Sequence, residues 1–173
     1  GLVRRAAAPL LAAAFRARTA RYAGGREVPL GEALFPFHGG EAYFRLFGRA
    51  GLHQMQLLVP EAAAAEALGE IRARAAARGV PAVLVSTKRF AGEAALIGFD
   101  GRGVSIAVDF PRRAGSEALA ADLDALTLAL GARPNLAKDS RLPRAVAEAA
   151  IPGLDAFRAR LAAFDPGRRR RSA

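Results

Sequence analysis

The fold of this chain is constrained most strongly by two segments, 53–59 and 104–110, in which apolar and polar residues strictly alternate. A period of two is that of a β-strand with one buried face. The apolar sides hold Met55, Leu57 and Val59 in the first segment, and Val104, Ile106, Val108 and Phe110 in the second. The opposite sides hold Gln54, Gln56, Leu58, Ser105, Ala107 and Asp109. The pattern therefore predicts a sheet with one apolar face and one polar face.

Two helical segments and two further strands complete this predicted sheet. Pro60 begins the first helix and Gly79 ends it, while Ser116 is a good N-cap residue for the second. Residues 82–88 and 134–138 read as the other two strands. Apolar residues recur at helical spacing at Ala64, Leu68, Ile71 and Ala75, and at Leu119, Leu123, Leu126 and Leu130.

The order β-α-β-β-α-β predicts an α+β fold on the split-βαβ (ferredoxin-like) plan, with both long helices on one sheet face. We expect Met55, Val104, Ile106, Val108, Leu68 and Leu123 to fill the layer between sheet and helices. Residues 1–51 are predicted to form a helical and irregular N-terminal arm, and residues 52–173 the α+β domain. Two short helices, 143–150 and 152–164, are predicted to close the chain.

The composition excludes several classes of protein. The chain has no cysteine, which excludes disulfide scaffolds, thiolate zinc sites and cysteine nucleophiles. Two histidines argue against a His-rich metal site, so no metal is expected. The net charge of +10 comes from arginines scattered along the chain, apart from the terminal run Arg168–Arg171. We expect no nucleic-acid partner, because the polar face lacks the aromatic residues on which RNA-binding sheets stack bases.

Rare residues collect on or near the polar face. The chain has two lysines, Lys88 and Lys138, two glutamines, Gln54 and Gln56, and one asparagine, Asn135. Paired amides offer donors and acceptors on one face, and small neighbours leave room for a flat ligand. The plainer interpretation, that this face simply meets water, stays open at this point, because an antiparallel sheet needs no ligand there.

Four motifs carry a resemblance to a known family. These are Gln54-Met55-Gln56 with Val59-Pro60, Lys88-Arg89-Phe90-Ala91-Gly92, Val108-Asp109-Phe110-Pro111 and Ala137-Lys138-Asp139-Ser140-Arg141, with Asp165-Pro166 after them. In this order they resemble the FAD-linked alcohol and aldonolactone oxidases of the vanillyl-alcohol-oxidase superfamily, most of all the decaprenylphosphoryl-ribose oxidases. The resemblance covers about residues 26–167.

The resemblance implies that the chain is the C-terminal substrate (cap) domain of a flavoenzyme, whose FAD-binding domain is absent from this chain. The first residue, Gly1, agrees with that expectation. The implied reaction is oxidation of a sugar or polyol hydroxyl by hydride transfer to FAD. By resemblance Lys138 is a catalytic and cofactor-contacting residue, Gln56 contacts cofactor or substrate, and Lys88 and Gln54 contact substrate. Ser105, a small residue of the same predicted polar face, is also expected to contact substrate. The fragment alone is expected to be inactive.

Other residues of these motifs have plainer expected roles. We expect Asp109 to be structural at a strand end, Asp139 and Ser140 to cap the next helix, and Arg141 to pair with a carboxylate or a phosphate. His38 and His53 are expected to be structural, with His53 on the helix-packed face.

The sequence differs from that of the family at the wall of the expected pocket. Ser105 and Ala107 stand where the decaprenylphosphoryl-ribose oxidases typically have Asn and Cys, so alditols, aldonolactones and other polyols are alternatives to a lipid-linked ribose. The alternative function is a regulatory small-molecule-binding domain of ferredoxin-like topology. A cytoplasmic location is expected, with peripheral membrane contact if the substrate is lipid-linked. The sequence leaves the oligomeric state undetermined.

Overall fold

The computed structural model describes residues 47–93, 95–139 and 141–167, together with residues 10, 13, 14, 16, 17, 20, 27, 29–31, 44 and 45. The described residues between 10 and 20 are helical. Most of the predicted N-terminal arm, His38, Ser140 and the arginine run at 168–171 lie outside the described residues.

The described part of the chain has an α+β fold with four strands and four α-helices. Short 3₁₀ turns at Gly48–Ala50 and Glu61–Ala63 precede the first strand and the first helix. The predicted strand at 82–88 begins and ends slightly later than expected, and the two C-terminal helices lie close to their predicted positions. The elements are β1 (Leu52–Val59), α1 (Ala64–Ala77), β2 (Leu84–Ala91), β3 (Arg102–Pro111), α2 (Ser116–Ala129), β4 (Arg133–Pro134), α3 (Arg144–Ala150) and α4 (Leu154–Phe164).

The four strands form one antiparallel sheet in the order β2-β3-β1-β4. β1 and β3 are paired along the full length of β1, with Gln56 opposite Ala107. β4 is only two residues long, so the predicted strand at 134–138 is wrong beyond Pro134. The Asn135 side-chain oxygen accepts the backbone N–H of Ala137 at 3.0 Å, and this local bond turns the chain where a strand would continue.

The core lies between the helices and one face of the sheet, as the alternation predicts. The apolar sides of β1 and β3 are buried there, and Val59, Ile106 and Phe110 are fully covered. His53 lies on the same face, with its ring centroid 5.3 Å from that of Phe110. The helices contribute Ala67, Ile71 and Ala75 from α1, and Leu119, Ala120, Leu123 and Leu126 from α2.

Two helix predictions are wrong. Leu68, which the sequence pattern places in the core, is 36% exposed, and Ala67 is buried in its place. The 3₁₀ turn at 61–63 precedes α1, and the helix then presents the i, i+4, i+8 set Ala67, Ile71 and Ala75 to the sheet. Ser116 is not the N-cap of α2, because Gly115 occupies that position with φ of +86°. The Ser116 hydroxyl instead accepts the backbone N–H of Arg113 at 3.2 Å.

None of the helices in the described residues is long and apolar enough to cross a membrane.

Candidate functional site

The sheet face opposite α1 and α2 brings together most of the residues that the sequence predicted for the site. Directly opposed residues of an antiparallel pair share a face. Gln54 is opposite Asp109 in β3, and Lys88 of β2 is opposite Ser105. We call this surface the polar face; it comprises Gln54, Gln56, Lys88, Ser105 and Asp109.

A row of polar groups crosses this face from β2 to the end of β4. The Gln56 amide nitrogen Nε2 donates to Ser105 Oγ at 2.8 Å, and Gln56 Oε1 accepts from Asn135 Nδ2 at 2.7 Å. Lys88 stands opposite Ser105 at the other end. These bonds fix the orientation of the Gln56 amide and leave one of its two N–H groups for a ligand. We call Lys88, Ser105, Gln56 and Asn135 the polar row.

A second pair lies beside this row. Gln54 Nε2 donates to Asp109 Oδ1 at 2.7 Å. Asp109 is only 3% exposed, so the bond compensates a carboxylate that water barely reaches. Asp109 therefore has a structural contact of the kind expected at a strand end. Gln54 keeps its carbonyl oxygen and one N–H group for other partners.

Lys138 lies in the turn that follows β4. Its backbone N–H donates to Asn135 O at 3.0 Å, and its side chain is exposed. Lys88 is exposed as well. Within the residues that the structure describes, neither ammonium group forms an ion pair, whereas Arg78, Arg141 and Arg158 all do. The two lysines are therefore cations available to a ligand.

Asn135 is the residue of this site that the sequence argument did not assign. Its backbone N–H donates to Gln56 O at 2.9 Å, and its side chain bonds both Gln56 and Ala137. It thereby connects the turn that carries Lys138 to the polar row. As the only asparagine of the chain it stands out in the composition, but its bond to Gln56 depends on the pairing of β4 with β1.

The loop between β2 and β3 borders the polar face at one end. Phe90, on the same side of β2 as Lys88, packs edge to face on Phe99 of the loop, with ring centroids 5.8 Å apart. Arg133 Nη1 donates to the backbone oxygens of Gly98 and Asp100 at 3.3 and 3.0 Å. An aromatic wall therefore stands beside Lys88.

Arg141 lies on the other side of the sheet and pairs with carboxylates, one of the two roles considered for it. Its two terminal nitrogens bind Asp124 of α2 at 2.8 and 2.9 Å, and Nη2 lies 3.1 Å from Asp139 Oδ2. We call these three residues the Arg141 cluster. Burial raises the pKa of Asp139, although the adjacent Arg141 guanidinium acts in the opposite direction.

The expected capping role of Asp139 is wrong. Asp139 Oδ1 accepts the backbone N–H of Arg141 at 3.1 Å, which closes a local turn before the helix. Pro143 occupies the N-cap position of α3, and no side chain caps that helix end.

His53 lies outside the polar face. It is 8% exposed on the helix-packed face, and its Nε2 lies 3.1 Å from a Glu117 carboxylate oxygen without the alignment of a hydrogen bond. This position agrees with the structural role expected for it. Among the described residues, no three His, Asp or Glu side chains converge as metal ligands would.

Comparison with known proteins adds no family assignment. No protein-family model matches the chain, and no curated protein has a significantly similar sequence. The function proposed below therefore depends on the motifs and on the geometry of the polar face.

Proposed function

We propose that this chain is the substrate (cap) domain of an FAD-dependent oxidoreductase that oxidises a sugar or polyol hydroxyl. The polar row is the observation that carries the proposal. It brings Lys88 and Gln56, from two of the family-like motifs, onto the same sheet face as Ser105. Lys88 is exposed there and Gln56 is half-buried, whereas Ser105 is only 1% exposed. The fourth motif, which contains Lys138, begins two residues after Asn135 at the end of this row.

The arrangement of strands supports the same proposal. The element order β1-α1-β2-β3-α2-β4 and the sheet order β2-β3-β1-β4 are consistent with the split-βαβ (ferredoxin-like) plan expected of such a domain. Both long helices pack on one face, which leaves the polar face without a helical layer from the described residues. In the proposal, this is the face that covers the flavin held by a separate FAD-binding domain.

The residues of the polar face fit a flavin and a hydroxylated substrate. The edge of a flavin ring and a sugar both present several hydrogen-bond donors and acceptors, and Gln54 and Gln56 each keep free valences for such groups. The buried carboxylate of Asp109 is already bonded by Gln54, so it does not oppose an electron-rich ligand. FAD would supply the hydride acceptor, which no amino-acid side chain can provide.

The roles of the protein groups follow from their charge and position. Lys138 is the cation that compensates the negative charge developing on the cofactor as the substrate is oxidised. Gln56 orients the cofactor edge or the substrate through its remaining N–H. Lys88 and Gln54 bind substrate hydroxyls or an anionic substituent. Ser105, which is only 1% exposed, instead holds the Gln56 amide in place. A lipid-linked sugar as substrate would also bring the chain to a membrane surface.

The proposal is tested with the full-length polypeptide that contains this chain, loaded with FAD. The visible spectrum should show bound flavin, and one of a panel of alditols, aldonolactones and prenylphosphoryl ribose should bleach it. Lys138→Ala should slow bleaching at least about tenfold, equivalent to about 1.4 kcal/mol of transition-state stabilisation. The matched control is Arg72→Ala, which removes an exposed cation from α1 on the opposite side of the sheet and should leave the rate unchanged.

Each result has a defined meaning. A full-length protein that remains colourless after reconstitution with FAD excludes the oxidase function. If Lys138→Ala binds flavin and the flavin is bleached at the wild-type rate, the oxidase function stands and the proposed role of Lys138 is wrong.

One feature favours the alternative function, a regulatory small-molecule-binding domain that dimerises through its sheet. β2 is an edge strand, and Ser86, Thr87 and Lys88 are all exposed, although successive residues point to opposite faces. A colourless protein that is dimeric in solution and binds a small metabolite would support this alternative.

A further inference from the structure

The segment between β4 and α3 carries Lys138 and is held from two sides of the sheet. At its beginning, Asn135 bonds Gln56 on the polar face. At its end, Arg141 reaches the helix side, where Nη2 lies 3.4 Å from both Met55 Sδ and Ala120 O. Lys138 therefore lies between two fixed points.

The second fixed point is the bidentate ion pair between the Arg141 guanidinium and the Asp124 carboxylate of α2. Arg141 binds both oxygens of Asp124, a geometry that sets the plane of the guanidinium as well as its distance. Asp124 is 6% exposed in the middle of α2, whose neighbouring turns pack on the sheet. Its carboxylate is therefore a stationary partner.

Asp139 transfers this constraint to Lys138. It follows Lys138 directly in the chain, is 6% exposed, and accepts the backbone N–H of Arg141 while pairing with the Arg141 side chain. The exposed Lys138 is thus joined to the buried Asp139, whose position is fixed by its contacts with Arg141. This limits where the Lys138 backbone can lie, and hence the volume that its long side chain can sample.

We propose that the Arg141 cluster is a positioning device for Lys138, an inference that rests on the proposed function. Arg141 cannot act on the ligand directly, because Met55 and Ala120, which it contacts, belong to the side of the sheet opposite the polar face. Its contribution is to hold the lysine ammonium at the cofactor. Displacement of a catalytic group by about 1 Å can cost roughly a hundredfold in rate.

The experiment uses the FAD-loaded full-length protein and two substitutions of the cluster. Asp124→Asn weakens the bidentate pair with Arg141 while keeping the shape of the side chain. Arg141→Lys keeps the positive charge but loses one of the two hydrogen bonds to Asp124. Each should slow flavin bleaching about tenfold while the half-saturating substrate concentration changes less. Because the cluster acts through Lys138, Asp124→Asn in a Lys138→Ala background should cost no more than about twofold further.

Two controls separate positioning from general stability. Arg144→Lys alters an exposed arginine paired with Glu148 on α3, and Ile151→Val removes a methylene group from a buried site outside the cluster. Neither should slow bleaching. If Asp124→Asn does not fold, Arg141→Lys alone carries the test. Equal slowing by Asp124→Asn with and without Lys138, or no slowing in either cluster variant, would overturn the inference.

A second readout does not depend on flavin chemistry. Hydrogen exchange at the backbone amide of Lys138, which donates to Asn135 O, should be faster in Asp124→Asn and unchanged in Ile151→Val. If Lys138→Ala has no effect on bleaching, the proposed role of Lys138 fails, and exchange alone then decides whether the cluster holds this turn. Unchanged exchange in Asp124→Asn would show that it does not.

Discussion

Asp139 is buried and shares the Arg141 guanidinium with Asp124, and both features affect the pKa of its carboxyl. Burial penalises the ionised form of Asp139 most strongly, and the nearby Asp124 carboxylate acts in the same direction. Arg141 opposes both effects but is engaged by two carboxylates at once. The pKa of Asp139 is therefore raised above its ordinary value of 3.8.

This raised pKa predicts the pH dependence of stability for Asp139→Asn. Between pH 3.8 and the raised native pKa, the folded state binds more protons at residue 139 than the unfolded state, so wild type loses stability there as pH rises. Asparagine has no such titration. The stability of the variant relative to wild type should therefore increase from pH 3.5 to pH 7, measured by urea unfolding.

Asp122→Asn is a control with the opposite sign. The Arg78 side chain bonds Asp122 and lowers the pKa of that carboxyl, so the ionised form stabilises the fold and its contribution is lost on acidification. Relative to wild type, Asp122→Asn should become less stable as pH rises toward 3.8. If the relative stability of Asp139→Asn also declined as pH rose, attraction to Arg141 would outweigh burial.

At the same scale, the sequence predicted which residues share a face but not how they bond. The positions of Gln54 and Gln56 in β1, and of Ser105 in β3, follow from a period of two within each strand. The bonds from Gln56 to Ser105 and Asn135 join residues far apart in the chain, so they depend on strand pairing and register. The local sequence pattern specifies neither the strand pairing nor the register.

At the scale of elements, α1 shows where periodicity stops being sufficient. Leu68 and Ile71 both belong to the apolar stripe predicted from the sequence, yet Ile71 is 2% exposed and Leu68 is 36% exposed. Leu68 instead lines a groove of about 640 Å³ between α1 and the start of β2. An alanine-rich helix has few large side chains to specify its rotation, so the packed structure decides which stripe is buried.

This difference predicts unequal costs for two substitutions in one helix. Ile71→Ala removes a side chain packed against the sheet and should lower the free energy of unfolding by about 2–5 kcal/mol. Leu68→Ala should cost less than about 1 kcal/mol, because that side chain is already partly solvated. Urea unfolding of the two variants measures both, and similar costs would place Leu68 in the core.

The strand β4 is shorter than the sequence pattern predicts, again because the pattern does not show a contact that decides the structure. Apolar and polar residues at 134–138 suggested an extended segment, but the side chain of Asn135 bonds the backbone two residues ahead. A turn there places Lys138 beyond the sheet, next to the Arg141 cluster, instead of within a strand. The position of Lys138 in the candidate site therefore depends on β4 ending early.

At the scale of the whole molecule, the sheet separates two environments. One face is closed by α1 and α2 around an apolar core, and the other holds the polar row and the exposed Lys88. Lys138 adjoins the second face through Asn135. Because the chain contains no other lysine, amine chemistry reports on this surface almost selectively.

Acetylation with acetic anhydride, followed by mass spectrometry, therefore measures whether the polar face is covered in the assembled protein. Both lysines should react readily in the isolated chain, where they are exposed. In the FAD-loaded full-length protein, each should react at least about tenfold more slowly if a covering cofactor and domain remove the ammonium from water. Arg72→Lys places a reference amine on the exposed side of α1, where it should keep its reactivity in both proteins. Lys88 and Lys138 that remained as reactive as this reference would show that the polar face stays open to solvent, and the proposed docking of the flavin on it would be wrong.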